Sequence, residues 1–176
     1  MRHLLLLACL LTPLAHAAPK TAISMASGAS VNDCEQYNAL RATENLEETT
    51  VNMMIASEYL ECSLTPAPQP VALPQVVLQQ IAEQLPIRAI PTSIGRRADK
   101  NMVLNAMFTL SDEGTLRFSE GQHIIDIRLK GQLSEHSYLL WISDEILDRT
   151  YRAYFPFVVE QTDVGFSARP FYASGY

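Results

Sequence analysis

The side chains of this sequence with most to offer chemically are its histidines, cysteines and carboxylates. Two of the four histidines, His3 and His16, fall in an apolar leader, which leaves His123 and His136. His123 shares the apolar face of a long alternating segment, and His136 sits in a polar turn at 134–137. No serine, cysteine or acid is placed next to either by a spacing that makes a nucleophile–base pair. They read as a core-edge residue and a loop residue.

Carboxylates occur side by side at Asp112-Glu113 and Asp144-Glu145, with Asp148 nearby. Glycoside hydrolysis needs two carboxyl groups facing each other across a cleft, which adjacent residues do not provide. Calcium needs several oxygens from a shaped loop. Both pairs are expected to be solvated turns. No nucleophile elbow, dinucleotide fingerprint or phosphate loop is present, and the sequence suggests no catalytic residue, cofactor or metal site. Arg96, Arg97 and Lys100 form a short basic run in 95–100, able to grip an acidic partner or simply to be solvated. Ten of the fourteen aromatic residues lie from Tyr138 onward. Within 150–160, Tyr151, Phe155 and Phe157 share one strand face while Tyr154 and Val158 share the other, so both faces are expected to be covered. Tyr154, opposite the core face, is the candidate anchor for a partner, with Arg96 and Arg97 as further contacts.

Residues 1–17 read as a cleavable secretory signal: Arg2 near the start, an apolar run from Leu4 to Leu11, a break at Thr12-Pro13, and Ala15-His16-Ala17 at the cut. The run is too short to cross a bilayer, which takes about 20 apolar residues. Leu6-Leu7-Ala8-Cys9 also fits the pattern before a lipid-modified cysteine, but cleavage there would leave almost no apolar region, so lipid anchoring is not expected. The compact Ala-x-Ala ending is of bacterial type, which points to a periplasmic or secreted protein. Cleavage leaves 12 basic against 19 acidic side chains, a net charge of −7. That balance disfavours nucleic acid, whose phosphates need clustered cations, and stable membrane insertion is not expected.

Cys34 and Cys62 survive processing, and an oxidising compartment with an even count argues that they pair. Closing a loop of this length contributes roughly 3–4 kcal/mol in the chain-entropy model. The bond also constrains shape. A continuous helix between the two cysteines would hold them about 42 Å apart, whereas a disulfide allows about 7 Å between Cα atoms. The chain must reverse, and residues 43–50 are the expected place.

The elements that position these residues follow from periodicity. Residues 18–30 are small and polar and read as a flexible leader. A helix is expected from Ser30–Asp33 onward, with Cys34, Tyr37 and Leu40 at helical spacing. A second carries Val51, Ile55, Tyr59 and Cys62. Residues 65–73 hold Pro66, Pro68 and Pro70, a stiff spacer. Pro74 then suits the first position of a third helix, with Val77, Leu78, Ile81, Ala82 and Leu85 on one face and Pro86 ending it. From residue 101 the period changes to two. Met102, Leu104, Ala106, Phe108 and Leu110 are expected on one strand face, and residues 111–114 form a turn. In 122–133, Ile125, Ile127, Leu129 and Leu133 face the core, and Asp126, Arg128, Lys130 and Gln132 face solvent. Further strands are expected at 138–142, 150–160 and 166–172.

The expected fold is α+β, one domain over 31–176. A disulfide-stapled α-hairpin and a third helix (helical part 31–85) pack on an antiparallel β-meander of five or six strands (101–172). The functional expectation is an exported, non-enzymatic binding protein of the cell envelope that acts through a protein partner, as an inhibitor, an immunity-type protector or an assembly accessory does. The alternatives are a carrier of a small apolar ligand and a hydrolase of unrecognised type.

Overall fold

The computed structural model describes residues 20–45, 55–64 and 67–171. The expected signal at 1–17 lies outside them. Among the described residues no helix is long and apolar enough to cross a membrane.

The chain is α+β. Strands β3 (Thr109–Leu110), β4 (Thr115–Glu120), β5 (His123–Ser134), β6 (Ser137–Ile146), β7 (Arg152–Thr162) and β8 (Gly165–Pro170) form one antiparallel sheet in chain order. Neighbours in sequence are neighbours in space because each connection is a short turn.

One sheet face carries Ile125, Ile127, Leu140, Ile142, Phe157 and Val159, all buried. Helix α2 (Pro74–Gln84) lies in the core on this side, with Pro74 in its first turn and Leu78, Ile81 and Ala82 buried at i, i+3 and i+4. The Leu85 amide closes the helix on the Ile81 carbonyl, and Pro86 prevents its continuation. Residues 102–108 depart from the expected strand. Leu104–Ala106 is a 3-10 turn, and only Thr109–Leu110 pairs as strand. Leu104 and Phe108 satisfy either period, since four residues is two repeats of an alternation and about one turn of a helix. The exposed Ala106 breaks the alternation, and the Phe108 amide donates to the Leu104 carbonyl at 2.8 Å. The Leu104 amide bonds the Leu85 carbonyl and the Ile87 amide bonds the Met102 carbonyl, so backbone pairing with the end of α2 replaces the ladder.

The opposite face presents Leu139, Trp141 and Val158, equally buried, because the N-terminal part of the chain covers it. The stretch expected to be a flexible leader is structured from residue 20. Strands β1 (Ile23–Ser24) and β2 (Ser30–Val31) pair, and Ile23, Met25 and Val31 are buried with Ile55 and Tyr59. Three apolar side chains in a polar stretch suffice to anchor it. Helix α1 (Cys34–Arg41) is capped by Asp33, whose carboxylate accepts from the Gln36 amide, while Ser30 belongs to β2. The second N-terminal helical piece, Ala56–Ser63, is 3-10 rather than α. The Cys34–Cys62 disulfide joins the two at a Cα separation of 5.1 Å. Residues 46–54 and most of the expected reversal lie outside the described residues.

Pro156 lies within β7, where proline would remove a ladder bond. The register with β8 begins at Phe157, so Pro156 stands where β7 becomes an edge. The spacer before α2 pairs with the far end of β5: Gln69 and Gln132 exchange amide–carbonyl bonds of 2.8 Å. The register of β5 shifts beside Gly131, so the expected alternation does not run unbroken to Leu133.

Candidate functional site

Strand parity brings His123 and Asp144 together. His123 begins the run His123, Ile125, Ile127 on the main core face, and Asp144 continues Leu140 and Ile142 on the same face. The Asp144 carboxylate is fully buried, not in a solvated turn as expected. It is satisfied by a loop distant in sequence. The Ser93 amide donates to Oδ2 at 2.7 Å, the Ser93 hydroxyl donates to Oδ1 at 2.9 Å, and His123 Nε2 lies 2.8 Å from Oδ1. The Tyr151 hydroxyl stands 3.4 Å from Oδ2. Burial and then the Asp144 charge raise the pKa of this phenol.

A serine, a histidine and an aspartate in contact invite comparison with a catalytic triad, but the connectivity differs. In a triad one imidazole nitrogen meets the carboxylate and the other meets the serine. Here Nε2 faces both Asp144 and Ser93 Oγ, the latter at 2.9 Å, and the serine hydroxyl is already committed to the carboxylate. The arrangement is a clasp that ties residues 91–100 to the sheet. Ile94 and Ala98, both buried, fix the same loop in the core. Arg88 Nε adds a bond of 2.8 Å to the Ala98 carbonyl. The loop leaves Arg96 and Arg97 exposed. It borders an open cleft of about 590 Å³ lined by Arg88, Ile90, Pro91, Thr92, Gly95 and Arg96.

The second polar assembly lies between the N-terminal part and the sheet. Lys130 donates to Glu58 Oε1 at 2.6 Å, the Thr21 amide donates to Oε2 at 3.1 Å, and Lys20 pairs with Glu61. Burial, then the neighbouring Lys130 cation, push the Lys20 ammonium down to about 7 against an opposing pull from Glu58. Burial works to raise the Glu58 pKa, but the Lys130 ammonium outweighs it and holds the carboxyl below its usual range. Arg128 lies over the Trp141 ring at 4.5 Å. The expected solvent face of β5 is therefore a covered one.

Tyr154 and the two loop arginines are thus in different settings. Tyr154 is half-buried against the N-terminal cluster, stacks on Trp141 at 5.5 Å, and donates its hydroxyl to Glu145 at 2.8 Å. Burial, then Glu145, push its phenol up to about 12. His136, Asp112 and Glu113 are exposed in turns, as expected. Among the described residues no cluster of three or more potential metal ligands occurs. Sequence reasoning missed Ser93, whose partner is 51 residues away. The legible signal was an acid and a histidine at core-face parity, at the same end of the 123–146 hairpin.

Comparison with protein-family models, curated proteins and solved structures finds no match.

Proposed function

We propose that this chain is an exported, non-enzymatic binding protein of the cell envelope that acts through a protein–protein contact, with the 91–100 loop as its contact surface. The observation that carries the reading is the loop itself: it is held at Ser93, Ile94 and Ala98, while Arg96 and Arg97 project from it exposed. Cations on a fixed loop lose little freedom when they meet an acidic partner, which favours binding. The export signal at 1–17 and the disulfide agree with a periplasmic or secreted setting. Half-buried packing makes Tyr154 a weaker anchor than the loop.

The test compares capture from an envelope extract by the mature protein and by the Arg96→Glu/Arg97→Glu variant. Reversing two exposed charges should abolish capture of the wild-type partner and leave thermal melting unchanged. Association of the wild type should slow as salt rises, because exposed charges are screened over about 8 Å at physiological ionic strength. Equal capture by both proteins would sink the loop as contact surface.

The convergence of Ser93, His123 and Asp144 favours a second reading, a hydrolase that opens its clasp on substrate. Covalent labelling of Ser93 by a fluorophosphonate probe would establish it over the first. An unlabelled Ser93 would leave the clasp as a structural device.

A further inference from the structure

We infer that the cleft beside Arg88, Thr92 and Arg96 is an oxyanion subsite that receives a carboxylate of the partner, from an acidic side chain or a chain terminus. The inference rests on the contact surface proposed above and names the group it recognises.

Four observations converge on it. The cleft has two guanidinium groups and no acid among its lining residues, in a chain whose overall charge is negative. Among the described residues neither Arg88 nor Arg96 forms an ion pair, although five lysine or arginine side chains elsewhere do. Arg88 is oriented through Nε by the Ala98 carbonyl, which leaves its two terminal amino groups to offer in parallel. Parallel N–H donors are the geometry that carboxylates accept.

The fourth observation is Thr92. The residue is nine-tenths buried and lines the cleft. Its Oγ1 is the one buried side-chain polar atom among the described residues that lacks a hydrogen-bond partner. The fold satisfies buried Asp144 with three close donors and Glu58 with two, so an orphaned hydroxyl in the wall of a basic cleft stands out. Buried polar groups are costly unless paired, and this hydroxyl, which has almost no accessible surface in the closed turn, gains a ligand oxygen as partner when the 92–95 turn shifts to admit it. Gly95 keeps the turn closed around it. A Cβ there would stand 3.3 Å from the Ile90 carbonyl oxygen and 3.5 Å from Thr92 Oγ1.

The probes are sodium acetate and inorganic phosphate, titrated separately into the mature protein at constant ionic strength set with chloride. The backbone amide resonances of Thr92, Gly95 and Arg96 are followed. Acetate should shift them saturably. Arg88→Gln and Arg96→Gln should each weaken that binding roughly tenfold, the scale of a lost charge-assisted bond. Thr92→Val should also weaken it while melting stays equal or rises, since the methyl group replaces an unsatisfied hydroxyl. No saturable shift with either anion, or shifts unchanged in the arginine variants, would overturn the subsite. Saturation by phosphate alone would overturn its assignment to carboxylate. Failure of the subsite is distinguishable from failure of the contact surface. Capture that depends on Arg96 and Arg97 without acetate binding refutes the subsite and spares the surface. Acetate binding with capture indifferent to those arginines does the reverse.

Discussion

Asp144 has no solvent exposure, and its carboxylate is held by donors from three separate stretches of chain: Ser93, His123 and Tyr151. Each donor matters because the carboxylate has no water to fall back on. Ser93→Ala removes the hydroxyl donor but keeps the backbone one, and should cost about 1–3 kcal/mol. Urea unfolding measures this, and amide exchange should quicken across 91–100. An unchanged midpoint would mean that the clasp does not hold the loop. Arg128 reverses the expectation read from its strand parity. Placed on the alternating face opposite Ile125 and Ile127, it should be dispensable, yet it covers a Trp141 ring that is itself buried. Arg128→Ala should therefore cost about 0.5–2 kcal/mol, the range for a cation over an aromatic face as it loses water. A neutral result would show that the face is open in solution.

At the level of elements, the proline-rich spacer is more than a connector. Its residues 68 and 69 lie against Gly131, where a Cβ would stand 2.7 Å from Pro68 Cβ and 3.0 Å from the Gln69 carbonyl oxygen. Only glycine permits that approach, and the register shift of β5 occurs at the same place. Gly131→Ala should push the spacer off the strand, break the paired Gln69–Gln132 bonds, and cost about 1–3 kcal/mol. The specific signature is faster amide exchange at Gln69 and Gln132, with β6 and β7 unaffected. Protection retained at Gln69 would refute the close approach.

For the molecule as a whole, the sheet is a middle layer, with α2 and residues 85–108 on one side and the N-terminal part on the other. The second interface carries ionisable groups taken out of water, so stability should depend on pH. Lys20 titrates near 7 in the fold and near its ordinary 10.5 when unfolded. Between these values the unfolded chain holds a proton that the folded chain has released, so stability rises with pH. Tyr59 and Tyr154 act in the opposite sense. Burial raises both, so above about 10 the unfolded chain ionises first and stability falls. At the acid end the depressed Glu58 contributes stability that is lost as pH falls below its ordinary 4.5. The melting temperature should therefore climb from pH 7 to about pH 10 and decline beyond. Burial lowers the Lys130 ammonium as well, so Lys20→Met should reduce the climb rather than abolish it, and leave the alkaline decline in place. A flat wild-type profile across that interval would mean that Lys20 and Lys130 remain solvated.

Local pattern was enough for several parts of this architecture. Pro74 and the stripe Leu78, Ile81, Ala82 specified α2, alternation specified β5, and short polar turns specified a meander, because each depends on neighbours within a few residues. The pairing of Cys34 with Cys62 followed from an even count and an expected oxidising compartment, and their arrangement from chain geometry. Tertiary structure decided what covers each face. Alternation marks Lys130 as polar but does not say that Glu58, 72 residues away, will meet it. The same limit hid Ser93 from Asp144, and let Leu104 and Phe108 pass for strand residues when both periods fit them. A residue's own neighbourhood determines which face is apolar. Only the packed chain determines which distant segment completes the hydrogen bonds of a group that the packing buries.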